Sequence, residues 1–303
     1  MEIVSLFSGA GGLDLGFINA GHEVIWANDN DKNSCETYNL NIGNHIIHRD
    51  IQQVDINDIP DCDAIIGGFP CQGFSMANRQ RKADDERNVL YKFFKQIVEK
   101  KKPRYFIAEN VRGILSLDGG NAIKTIVSEF GDAGYRVKYQ QFNTADFGVP
   151  QARIRVIIVG TRNDLPFDLD FTFPTPTHSK SEWQSIGVAL GTLPNDNSLK
   201  NQVFSSYKIS VKDFVGHRVT DPNKPCPTIL ARGNGKGGVC AIPHPFLDRR
   251  LSVRESALMQ TFPLDFEFVG TMGSMYRQVG NAVPVLFAQQ LGIKLRELEM
   301  VEV

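Results

Sequence analysis

The first thirty residues limit the possible folds more than any other stretch. Ile3 to Phe7 is apolar and β-prone, Ser8-Gly9-Ala10-Gly11-Gly12 is a glycine turn, and Leu13 to Ala20 reads as a helix stopped by Gly21. A second apolar run, Val24 to Ala27, ends at Asn28-Asp29-Asn30. Strand, glycine turn, helix and strand open a doubly wound, mostly parallel α/β sheet, whose ligands bind outside the carboxyl ends of the strands. Glycines in the first turn let the backbone approach a ligand and leave the helix N-terminal N–H groups free. The dinucleotide pattern G-x-G-x-x-G fails, because Asp14 stands where its third glycine belongs. Asp29 lies 20 residues beyond Gly9, the separation at which an acid reaches ribose hydroxyls in such a fold. A nucleoside ligand is implied and a pyrophosphate is not. The competing role for Asp29 is to cap the helix that begins at Asp31.

Later strands repeat the pattern. His45 to His48 ends at Asp50-Ile51, where the Asp50 carboxylate can accept from an adenine amino group. The run Ala64-Ile65-Ile66 leads into Gly67-Gly68-Phe69-Pro70-Cys71-Gln72-Gly73-Phe74-Ser75, and a charged stretch follows to Asn88. That reads as a buried strand, a turn stiffened by Pro70 that presents one cysteine, and a mobile loop. Most free cysteines are small buried hydrophobes, so Cys71 alone does not define a nucleophile. The helix Asn88 to Lys100 puts Leu90, Phe93, Phe94, Ile97 and Val98 on one face, which reads as core, with Leu90 near enough to the edge to touch a ligand. Tyr105 to Ala108 runs into Glu109-Asn110-Val111, a second ionisable group at a strand's carboxyl end. A helix near Asn121 to Phe130 and strands at Arg136 to Phe142 and Ile154 to Val159 follow. Arg153 and Arg155 stand at alternate positions and so share a side of the strand, for which an outward charged face is the ordinary explanation. Gln278 to Pro284 opens a last helix, Val285 to Leu298, expected to pack back onto the first domain.

The 303 residues suffice for a large domain, 1–165 plus 269–303, and a smaller, loop-rich one, 166–268. Net charge is −1, yet Phe171 to Arg254 holds 11 Lys/Arg against 5 Asp/Glu, which fits a catalytic half beside a half that meets polyanions and equally fits a solvated face. Arg232 and Lys236, in the loop Ala231 to Gly238, are placed to follow a nucleic-acid backbone or simply to be solvated. Five cysteines without C-x-x-C spacing and six histidines without H-E-x-x-H argue against disulfides and metal. No apolar run is long enough for a bilayer, and the N-terminus lacks a signal-peptide pattern, so the expectation is a cytoplasmic protein.

Six stretches, taken together and in order, resemble the DNA cytosine-5 methyltransferase family. They are Phe7-Ser8-Gly9-Ala10-Gly11-Gly12, Pro70-Cys71-Gln72, Glu109-Asn110-Val111, Gln151-Ala152-Arg153-Ile154-Arg155, Arg254-Glu255 and Gly280-Asn281-Ala282-Val283-Pro284. The likeness spans the chain apart from roughly Pro166 to Leu247, the family's variable target-recognition region. It implies a Rossmann-like methyltransferase fold, S-adenosyl-L-methionine as donor (S-adenosyl-L-homocysteine as product) and transfer to carbon 5 of cytosine in double-stranded DNA. For the donor it implies stacking by Phe7, ribose contact by Asp29 and adenine contact by Asp50, with Gly9, Gly11, Gly12, Asn30, Ile51, Leu90, Asn281 and Ala282 lining the remainder. A monomer is expected, with a companion restriction endonuclease acting separately. The third-strand motif departs from the family in reading His48-Arg49-Asp50-Ile51, where many relatives have glycine before Asp-Ile.

Carbon 5 of cytosine is a poor nucleophile, and a thiolate adding at carbon 6 makes it reactive. Cys71 is assigned that addition. Glu109 gives a proton or strong hydrogen bond at N3, and Arg153 or Arg155 stabilises charge at O2, with Arg155 the closer match by resemblance. Attack perpendicular to the ring requires the base to leave the duplex. Gln72, Ser75, Arg79, Arg81 and Lys82 are expected at the DNA, on a loop that closes when DNA binds. Two other readings share the scaffold: a tRNA cytosine-5 methyltransferase, whose Cys-Phe-Thr stretch is missing here, and a non-catalytic DNA-binding relative. A nicotinamide oxidoreductase suffers from the absent third glycine and leaves Cys71 unexplained.

Overall fold

The computed structural model describes residues 1–69, 89–193, 199–205, 220–231 and 241–301. Its strands are β1 (Glu2–Leu6), β2 (Glu23–Asp29), β3 (Ile46–His48), β4 (Ala64–Gly67), β5 (Tyr105–Val111), β6 (Tyr135–Asn143), β7 (Gln151–Ala152), β8 (Ile154–Arg162) and β9 (Cys226–Pro227). The helices are α1 (Gly12–Asn19), α2 (Lys32–Asn41), α3 (Val89–Lys101), α4 (Asn121–Asp132), α5 (Ile186–Gly191), α6 (Val253–Met259), α7 (Met272–Asn281) and α8 (Val285–Val301). Among the described residues one seven-stranded sheet has the order β3-β2-β1-β4-β5-β8-β6, and β7 pairs with β9 apart from it. The strands from β3 to β5 run parallel, whereas β8 is antiparallel to both β5 and β6.

Both faces of the central strands are covered, so β1, β4, β5 and β8 are largely apolar, whereas the edge strand β6 is polar and exposed along its middle. Ile3, Ile66, Ile107 and Ile157 face one core, with Phe17, Phe287 and Leu291. Their neighbours Val4, Ile65, Phe106 and Ile158 face the other, with Phe94, Ile97 and Phe130. The two-residue period thus feeds two cores from the same strands. On the first face α1 and α8 approach closely. A Cβ at Gly16 would lie 2.3 Å from the Ala288 Cβ, and one at Gly292 would lie 2.7 Å from the Ala20 Cβ. The expected return of the last helix to the first domain is therefore seen. The aromatic stripe of α3 is core as expected, with Phe94, Ile97 and Val98 buried.

A third core gathers Ile186, Ile229, Leu251, Val253, Phe262 and the α7 residues Met275, Tyr276 and Val279. Three helices there, α5, α6 and α7, have no counterpart in the sequence reading. In particular, Gln278 to Asn281 closes α7 rather than opening α8. No helix among the described residues is long and apolar enough to cross a membrane.

Candidate active site

The carboxyl edge of the sheet brings β4 and β5 together. Past β4, Phe69 is buried and packs its ring on Tyr91 and Phe94 of α3, with centroids 5.4 and 5.7 Å away. Asn110 Nδ2 donates to the Phe69 carbonyl at 3.4 Å, so the backbone is anchored just before Pro70-Cys71. A Cβ on Gly68 would stand 3.0 Å from Glu109 Oε2, which keeps this segment close to the glutamate. Because β8 runs antiparallel, its first residues lie at the same edge as the last residues of β5. Val111 is paired with Arg155 and Glu109 with Ile157, which makes Glu109 and Arg155 diagonal neighbours on one face. Arg155 Nε lies 2.5 Å from Glu109 Oε1, and both side chains are nearly buried. That N–H is not aligned for a hydrogen bond to any protein atom, so the contact is an ion pair only. Arg155 Nη1 donates to the Ile154 carbonyl at 2.7 Å.

Arg153 behaves differently. It stands ahead of β8, is 1% exposed, and donates from Nη1 to the Ile229 carbonyl and from Nη2 to the Gly280 carbonyl, each at 2.9 Å. Burial, and then the nearby Arg155, push its pKa well below the ordinary arginine value. Neither arginine lies on an outward charged face, and the two do not share a partner. Arg153 bolts the strand to the smaller region and to α7. Gln151 supports the same junction: its amide donates to Gln260 Oε1 at 2.8 Å and accepts from the Ile229 N–H at 2.8 Å.

At the amino-terminal half of the edge, Gly9 has φ +57°, and its N–H donates to Asp29 Oδ2 at 2.8 Å. Asp29 Oδ1 accepts from the Asp31 N–H at 2.8 Å. The cap of α2 is Asp31, which accepts from the Ser34 N–H at 2.9 Å, so the competing role for Asp29 is filled by its neighbour. Burial raises the Asp29 pKa, the two backbone N–H groups acting against it. Phe7, half-buried, has φ +57°, an uncommon backbone for a non-glycine residue. Gly11 (φ +86°) caps α1, and a side chain there would collide with Ile42 and Tyr38. Gly12 faces the Ala282-Val283 segment, whose carbonyl at Val283 would lie 2.5 Å from an added Cβ. Asn281 is exposed and Ala282 half-buried, both beside this turn. Asp50 caps a short 3-10 turn, Ile51–Gln53, by accepting from the Gln52 N–H at 3.0 Å. Ile51 is buried in the second core and Leu90 is half-buried beside it, while Asn30 is exposed. Of the residues assigned to the donor, Phe7, Gly9, Asp29, Asn30, Asp50 and Ile51 stand at or just past the ends of β1, β2 and β3. Gly12, Leu90 and Asn281 belong instead to α1, α3 and α7. The features fit a nucleoside-bearing ligand: an open glycine, a pinned amide, a half-exposed ring and a carboxylate with lone pairs to spare.

Cys71, Gln72, Ser75, Arg79, Arg81 and Lys82 lie outside the described residues, as do Arg232 and Lys236. Sequence reasoning gave no role to Gly68, Asn110, Gln151 or Asp14. For Asp14 the signal was on view, since an acid occupies the place of a dinucleotide-binding glycine.

An α/β sheet with a glycine turn at its first strand, a nucleoside-type edge and no third glycine defines the class of Rossmann-like methyltransferases. The chain belongs to the C-5 cytosine-specific DNA methylase family, which it matches over residues 1–297. It is a DNA cytosine-5 methyltransferase, and the family's methyl donor is S-adenosylmethionine. Similar proteins include the Type II methyltransferase M.NgoFVII of Neisseria gonorrhoeae, 42% identical over 93% of this chain and 83% of the relative. Another is the Type II methyltransferase M.MthTI of Methanothermobacter thermautotrophicus, 37% identical over 98% of this chain and 97% of the relative. Among solved structures, the S. pombe Dnmt2 methyltransferase superposes with a TM-score of 0.75 at 21% identity, covering 98% of each chain. That last likeness speaks for the fold alone.

Proposed function

We propose that this enzyme modifies one cytosine within a specific duplex sequence through a transient bond between Cys71 Sγ and carbon 6 of a base turned out of the helix. The observation that carries the reading is the Glu109–Arg155 pair, 2.5 Å apart at the edge where the segment leading to Cys71 emerges. N3 and O2 are adjacent atoms on one edge of cytosine, and a carboxyl group and a guanidinium held side by side match that edge. Glu109, in its protonated form, supplies a proton or hydrogen bond at N3 while Arg155 steadies charge at O2. Arg153 holds the strand that carries Arg155. The thiolate adds at carbon 6, carbon 5 takes the methyl group, and loss of the carbon 5 proton then expels the thiolate. S-adenosylmethionine, when bound, supplies that methyl group. Phe7, Gly9, Asp29, Asp50 and the Asn281-Ala282 segment hold and orient it.

Residues 1–165 with 269–303 serve as the catalytic unit and 166–268 as the target reader, within which the stretch Phe171 to Arg254, with 11 Lys/Arg against 5 Asp/Glu, suits a DNA backbone. The Type II relatives support a restriction-modification setting, with the enzyme acting as a cytoplasmic monomer and an endonuclease acting separately. Bisulfite sequencing of DNA from expressing cells gives the target. Duplexes bearing 5-fluorocytosine at that position then trap a covalent adduct with enzyme and donor, and absence of the adduct overturns the Cys71 mechanism. A parallel incubation with labelled donor and tRNA is expected to give no transfer.

A further inference from the structure

Beneath the glycine turn lies a buried polar cluster for which the methyl-transfer chemistry has no use. Asp14, in the first turn of α1, is 0% exposed. Its oxygens accept from Ser5 Oγ at 2.7 Å and Tyr38 Oη at 2.9 Å. Each donor is backed by another group: Ser8 Oγ lies 2.9 Å from Ser5 Oγ, and His45 Nε2 lies 2.9 Å from Tyr38 Oη. With the His45 proton on Nε2, His45 donates to Tyr38 and Tyr38 to Asp14, while Ser8 donates to Ser5 and Ser5 to Asp14. Two donor chains then end on one carboxylate. The Ser5 carbonyl, 3.3 Å from Ser8 Oγ, is the weaker alternative for the Ser8 proton.

A buried carboxylate is a costly way to fill space beside a helix start, since burial disfavours its charge. Its place suggests what it does. Ser8 stands between Phe7 and Gly9, both at φ +57°, and the Ser8 N–H donates to the Asn28 carbonyl at 2.9 Å. Gly9 is held from the other side by Asp29 at 2.8 Å. A non-glycine residue keeps such a backbone only where its surroundings impose it.

We propose that Asp14 is a positioning residue, which through Ser5 and Ser8 locks the Phe7-Ser8-Gly9 segment in the conformation that presents the Phe7 ring and the open Gly9 backbone to the methyl donor. This rests on the reading of that turn as the donor site. Asp14→Asn keeps the shape but offers one acceptor oxygen to two hydroxyl donors. The expected result is about a tenfold loss of S-adenosylhomocysteine affinity by calorimetry and a similar rise in donor KM. Turnover at saturating donor and DNA affinity stay within about twofold of wild type, as expected when only ground-state binding is removed. Ser8→Ala gives a smaller loss of the same kind, and adding it to Asp14→Asn causes little further loss because both act on one chain. A purely structural role predicts a lower melting temperature with unchanged affinity in the folded protein, and that result overturns the proposal. If Asp14→Asn does not fold, Ser8→Ala and Tyr38→Phe carry the test, and unchanged affinity in both overturns it. Failure of the wild-type protein itself to bind S-adenosylhomocysteine refutes the donor site instead.

Discussion

Arg153 and Arg155 differ by two positions and, on this structure, by kind of work, so their variants should separate. Arg153→Met replaces a fully buried guanidinium by a side chain that packs but cannot donate. Two charge-assisted bonds at 2.9 Å disappear, leaving the Ile229 and Gly280 carbonyls without that donor. Bonds of that sort contribute about 1.5–3 kcal/mol each, or roughly 3–6 kcal/mol together. Removing a guanidinium that burial already disfavours returns part of it, leaving a net loss of about 3 kcal/mol. With an unfolding entropy of about 2.1 cal/mol/K per residue, a chain of 303 residues loses about 5 °C of Tm. Arg155→Lys leaves the Glu109 contact short of one donor plane but disturbs no distant junction. Its Tm should stay within about 2 °C while kcat falls by about a hundredfold, the usual scale for one misplaced charge-stabilising donor. Calorimetric melting and labelled-donor turnover on the same preparations decide the matter. An Arg153→Met enzyme with wild-type Tm and a collapsed kcat would refute the division of labour, placing Arg153 at the reacting ring.

Three further outcomes follow from the site. Cys71→Ala should abolish methyl transfer yet retain DNA binding in gel shifts, and residual turnover above about a percent of wild type excludes a covalent role for this thiol. Gly68→Ala brings a Cβ to 3.0 Å from Glu109 Oε2 and should cut kcat about tenfold with little change in melting, which kinetics beside calorimetry will show. Burial lifts the Asp14 carboxyl from 3.8 to about 6. The folded state therefore binds this proton more tightly than the unfolded chain does. Stability from this group is absent well above pH 6, grows as pH falls through about 6, and is complete below about 3.8, totalling about 3 kcal/mol. Denaturation curves at several pH values should show wild type gaining stability relative to Asp14→Asn as the solution is acidified from 7 to 4, and a difference that does not change with pH would contradict the buried charge.

The open sheet was legible because each of its early strands is a short apolar run ended by a polar residue, a purely local signal. The same locality placed Asp29, Asp50 and Glu109 at one edge. What the sequence could not show was how β8 enters. Its antiparallel direction brings Arg155 back to that edge, and no periodicity reveals strand direction. The alternation argument also failed at Arg153, since the strand begins only at Ile154 and a period of two applies to nothing before it. Helix α7 carried a legible signal that the sequence reading passed over, with Met272, Met275, Tyr276 and Val279 at helical spacing behind a Thr271 cap. Helix α6 need not have escaped: Ser252 and Glu255 form a capping box, a signature readable from the four residues alone.

The tight crossing of α1 and α8 also sets the timetable of synthesis. While the ribosome makes the first 284 residues, one side of the nascent sheet is only partly covered, by α1 and α2, since α8 is made after them. Contacts between such remote parts of a chain form slowly, and exposed apolar surface invites misassociation meanwhile. A message cut short before codon 285 should accordingly yield insoluble or degraded protein rather than a weakly active methylase.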